Sequence, residues 1–65
     1  MKLNKTKVEI LRGREDLSVP ALAEKAGVCA ATIYNGYVRD IEVKCIGRIA
    51  RALGVDIEDI IEKLV

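Results

Sequence analysis

Apolar residues recur along this chain at the spacing of helices rather than strands. Val8 and Leu11 stand three apart, with Leu3 just before them and Lys5, Lys7, Arg12 and Arg14 on the other faces, which predicts an amphipathic helix over about 5–15. Leu22, Ala23 and Ala26 repeat over about 19–26. Ser18 suits the N-cap of that second helix, because its hydroxyl accepts a bond from an amide the helix leaves unpaired. Pro20 is tolerated in the first turn, and Gly27 can close the helix at positive φ. A third helix is expected over about 30–36, from Ala30 through Asn35, with Gly36 weakening its end and residues 37–42 forming a loop. Val43, Ile46, Ile49, Ala50 and Leu53 make a clean apolar stripe over about 43–53, stopped by Gly54. Asp56 is then placed to cap a fifth helix over about 57–64, with Ile57, Ile60, Ile61 and Leu64 on its apolar face. The expectation is an all-α, compact five-helix fold, one domain over residues 1–65.

Composition narrows the picture further. A chain of 65 residues folds as one small domain. Half of it is apolar, yet its only aromatic residues are Tyr34 and Tyr37, and a core of Ala, Val, Ile and Leu suits closely packed short helices. Cys29 and Cys45 form no CxxC pair and the chain has no histidine, so no metal site is expected and the two cysteines read as reduced thiols. Without histidine, a Gly-rich phosphate loop or a nucleophile beside a base, catalysis is not expected, and neither is a cofactor or a small-molecule substrate. No stretch is long enough to span a bilayer and no secretory pattern is visible, which makes the cytoplasm the expected location.

The formal net charge is only +1, but its distribution is uneven. Residues 1–55 carry ten basic and six acidic side chains, whereas in residues 56–65 Lys63 stands against Asp56, Glu58, Asp59 and Glu62. A basic body with an acidic end allows one face to meet phosphate if the fold keeps the other end away.

The stretch from Ser18 to Val38 carries the functional information. Two helices that cross steeply through a tight turn need a small residue at the crossing (Ala23), a residue free of a Cβ penalty in the turn (Gly27) and apolar pins on both sides (Leu22, Val28, Ile33). This stretch resembles the helix-turn-helix of the Cro/C1-type repressor family, also called the XRE family. The likeness continues through Ile46-Gly47-Arg48-Ile49-Ala50-Arg51-Ala52-Leu53-Gly54-Val55-Asp56, similar to that family's fourth helix and the turn into its fifth. The resemblance implies a five-helix, lambda-repressor-like domain that binds double-stranded DNA as a homodimer and represses transcription. The chain departs from the family at Val19, where a Gln is common, at Gly36, where an apolar residue is usual and Tyr37 is the candidate to fill the gap, and in a shorter segment between the third and fourth helices.

Mapped this way, Ala30, Ala31, Tyr34 and Asn35 face bases in the major groove, with Asn35 suited to adenine and the alanine methyls to thymine. Thr32, Arg39 and Lys44 are the expected backbone contacts, although Thr32 is equally suited to a local cap and Arg39 to an ion pair with Asp40 or Glu42. Arg48 and Arg51 read as a solvated face. Cys29 stands where the family has a serine-like cap; a weak cap is the favoured reading over a reactive thiol. Ile57, Ile60, Ile61 and Leu64 are the expected dimer interface, with Ile41 or Val43 as contributors. The competing reading keeps the fold but makes it a protein-interaction or antitoxin-like adaptor, which the low net charge and the missing Gln favour.

Overall fold

Local chemistry sets the boundaries of four α-helices in the computed structural model, which describes residues 1–62. Helix α1 spans Lys5–Arg14, α2 Val19–Ala26, α3 Ala30–Val38 and α4 Val43–Leu53, and a single 3-10 turn follows at Ile57–Asp59. Asn4 caps α1 by accepting from the Lys7 amide at 3.1 Å, and Ser18 caps α2 by accepting from the Ala21 amide at 3.2 Å. Gly27 and Gly54 end α2 and α4 in the left-handed region, at φ 76° and 73°, a conformation that costs glycine little.

The core is aliphatic. Leu3, Val8, Leu22, Ile33, Ile46, Ile49 and Ile60 are fully buried, each contributing about 1.5–3 kcal/mol of transfer free energy. Val19 belongs to this core and Ala23 is buried where α2 packs. Helix α2 packs on both α3 and α4, and α4 also supports the 3-10 turn. The regular secondary structure of the described residues is thus helical apart from one isolated antiparallel bridge between Leu3 and Ile61, and the radius of gyration is 10.2 Å.

Three expectations are corrected. The third helix does not end at 36: α3 runs through Gly36 and Tyr37 to Val38, so the connection to α4 is only residues 39–42. The gap beside Gly36 is filled by Leu3, not by Tyr37. The Leu3 amide donates to the Gly36 carbonyl at 2.8 Å, and the Leu3 side chain stands where a Cβ on Gly36 would be.

The third correction concerns the chain's end. In place of a fifth helix over 57–64, the chain makes the 3-10 turn and then extends, with the Asn4 amide donating to the Ile60 carbonyl at 2.8 Å and the Glu62 amide to the Lys2 carbonyl at 3.0 Å. Ile60 and Ile61 are consumed by this pairing. They are buried inside the chain, at 0% and 8% exposure, and so are not the open dimer interface expected of them. Ile57 is half-buried against the core, and Leu64 lies outside the described residues. No helix among the described residues is long and apolar enough to cross a membrane.

Candidate functional site

The turn between α2 and α3 is three residues, Gly27, Val28 and Cys29. The Gly27 amide donates to the Glu24 carbonyl at 3.2 Å and the Val28 amide to the Ala23 carbonyl at 3.0 Å, which satisfies carbonyls that the end of α2 would leave unpaired. Val28 packs against the core. Cys29 takes the N-cap position of α3 but its side chain makes no capping hydrogen bond, and the thiol is exposed. The expected serine-like cap is therefore absent; the Thr32 amide is taken up by the Cys29 backbone carbonyl at 2.9 Å.

Helix α3 divides cleanly. Ile33 and Gly36 are buried. Ala31, Tyr34, Asn35 and Val38 are exposed, and their spacing places them within an arc of about 100° around the helix. Tyr34 is 54% exposed and Val38 69%, so the open face is uncharged and mainly apolar, with Asn35 as its amide-bearing member.

Of the residues singled out from the sequence, Ala31, Tyr34 and Asn35 share this face. Ala30 does not: it is half-buried and packs against the core. Thr32 is half-buried and lines an open cleft of about 510 Å³ with Asn35, Asp40, Ile41, Glu42 and Cys45. Arg39 is the C-cap of α3, its amide donating to the Asn35 carbonyl at 2.9 Å and its side chain exposed. Lys44 is exposed in the first turn of α4. Neither cation forms an ion pair with Asp40 or Glu42; Asp40 lies 3.6 Å from the Met1 amino group instead. Arg48 and Arg51 are exposed.

Val38 is the residue that sequence reasoning missed. Its signal was present in the seven-residue interval from Ala31, which returns to the same helix face. Reading Gly36 as a helix end concealed it.

A polar pair on α1 lies near Tyr37 of α3. Arg12 donates to the Leu17 carbonyl at 2.8 Å and pairs with Glu9. Donating to the Glu9 carboxylate raises the Arg12 pKa above its ordinary value. Tyr37, half-buried beside them, has its phenol pushed up to about 12, first by burial and then by the negative charge of Glu9. Tyr37 meets Tyr34 edge-on, with ring centroids 6.4 Å apart and planes at 84°. The exposed ring is thereby braced by an anchored one.

The described residues contain no cluster of three or more metal-ligating side chains. The site instead offers a convex helix face able to stack, make apolar contact and hydrogen-bond through one amide, with the cation Arg39 at its C-terminal edge. Compared with known proteins, the chain matches no family model, no curated protein and no solved structure.

Proposed function

We propose that this chain is a sequence-specific, double-stranded-DNA-binding transcriptional regulator, acting as a repressor. In this reading α2 and α3 form a helix-turn-helix and α3 lies in the major groove, whose width of about 12 Å admits one helix. The observation that carries the reading is the open face of α3: Ala31, Tyr34, Asn35 and Val38 stand exposed on a helix backed by α2, with the exposed cations Arg39 and Lys44 following it in sequence. The resemblance of residues 18–56 to the Cro/C1-type family supports the same assignment. Asn35 makes the base-specific hydrogen bonds and Arg39 and Lys44 touch phosphate. A helix of nine residues reads few bases, so two copies on a palindromic site are proposed, with half-sites about 34 Å apart. The contact between copies then lies outside the buried Ile60–Ile61 segment.

A second reading is favoured by one observation. Asp40 and Glu42 line the cleft beside Thr32 and Asn35 and offset the charge of Arg39 and Lys44, which suits a protein partner better than a polyanion. Selection of bound sequences from random duplex DNA separates the two. Enrichment of a defined half-site supports the DNA reading, and absence of binding to any duplex transfers the function to the adaptor.

A further inference from the structure

Resting on the DNA-binding reading above, we infer that α3 recognises the 5-methyl groups of thymine, with Val38 as a specificity-determining residue at the far end of the reading face. The longer course of α3 carries the inference. Because the helix continues through Gly36, Val38 joins Ala31, Tyr34 and Asn35 on one face and is its most open large apolar residue, at 69% exposure. Ala31 and Val38 lie seven residues apart, a rise of about 10 Å, which matches about three base steps of duplex.

In the major groove the apolar group a base edge presents is the thymine methyl, and alanine- or threonine-type methyls are its natural partners. A face built from a methyl, a phenol ring, an amide and an isopropyl group has little to offer guanine, whose paired acceptors call for arginine or lysine. Arg39, the nearest cation in sequence, lies past the end of α3 in extended backbone at φ −150°, ψ 169°, and so leaves the helical register of the reading face. The preferred half-site is accordingly rich in A·T pairs. Asn35 addresses an adenine, and Ala31 and Val38 address thymines that flank it about three base pairs apart.

The test uses the whole chain, the half-site obtained from random duplex selection, and the same duplex with each thymine replaced singly by uracil, which lacks only the methyl group. Each contacted thymine should lose about fourfold in affinity when its methyl is removed, the equivalent of one buried methylene. Val38→Ser, at an exposed position and checked for unchanged helicity, replaces the isopropyl group by a hydroxyl and should abolish the sensitivity to uracil at one thymine and leave the others intact. Specific binding that is unchanged by every uracil substitution overturns the inference while the DNA reading stands. Sensitivity that persists at every position in Val38→Ser overturns the role of Val38. Failure to bind any duplex overturns the DNA reading itself, a result separate from both.

Discussion

The side chain of Leu3 occupies the space that a Cβ on Gly36 would need: a methyl there would stand 2.6 Å from Leu3 Cδ1 and 3.0 Å from Ile41 Cδ1. Glycine within a helix ordinarily costs about 1 kcal/mol relative to alanine. Here that cost is offset because Leu3 buries completely against α3 and its amide bonds the Gly36 carbonyl. The contact ties the start of the chain to the helix that carries the open face. The Leu3 backbone also pairs with that of Ile61, so three distant segments meet at one residue.

Gly36→Ala should therefore destabilise the fold despite its better helix propensity. The overpacking cost, about 1–3 kcal/mol, exceeds the propensity gain, because Leu3 has no exposed surface toward which to move. Chemical denaturation gives the loss. In a Leu3→Ala background the same substitution should become neutral or favourable, and the coupling in a double-mutant cycle should reach about 1 kcal/mol or more.

Ile61→Glu tests the correction at the chain's end. Were Ile61 on an open helix face, the substitution would leave helicity intact and affect assembly alone. Ile61 is instead 8% exposed and bridged to Leu3, so the carboxylate would enter an aliphatic core. A loss of about 3 kcal/mol or more is expected, seen as a lowered melting temperature in the isolated chain. Val43→Glu, at a position 52% exposed, should melt near the parent and provides the contrast.

These corrections show where the sequence is legible and where it is not. The caps at Ser18 and Gly27, the limits of the helix Val43–Leu53 and the buried stripe Leu22–Ala23 are local matters, fixed by spacing and by side chains acting on their own backbone. Gly36 cannot be read locally, since the residue that makes glycine suitable there is 33 positions away. Ile57, Ile60 and Ile61 have helical spacing, but a 3-10 turn followed by an extended pair buries the same residues, and the pairing with Lys2, Leu3 and Asn4 decides between them. At the candidate site, Ala31, Tyr34 and Asn35 follow from the helix register. Ala30 does not, because its burial depends on how α3 as a whole seats against the core.

Tyr37 gives an alkaline signature. Its phenol pKa is raised to about 12 from an unfolded value of about 10. Below pH 10 both states keep the proton. Between 10 and 12 the unfolded chain loses it first, so the unfolded state binds fewer protons and stability falls as pH rises. The loss should be about 1–2 kcal/mol, discounted for the partly open surroundings of the ring. Tyr37→Phe should remove this component along with the late step in tyrosinate absorbance. Since the buried Tyr37 hydroxyl has no protein hydrogen-bond partner among the described residues, the change should cost little or stabilise at neutral pH.

Asn35 and Arg39 separate base reading from phosphate contact. Both are exposed, and the Arg39 amide bonds the Asn35 carbonyl, so removing either side chain leaves this end of α3 in place. Asn35→Ala should cost about 1–3 kcal/mol at the preferred site and little elsewhere, flattening the base preference at one position. Arg39→Ala should weaken all duplexes alike. It should also make the slope of log K against log salt shallower by about 0.9, the contribution of one neutralised phosphate. Titrations of preferred and scrambled duplexes at several salt concentrations read both effects at once. If Asn35→Ala weakens the two duplexes equally, Asn35 does not read a base. If Arg39→Ala leaves the slope unchanged, the charge of Asp40 and Glu42 beside it keeps phosphate away, and that result favours a protein partner for this end of α3.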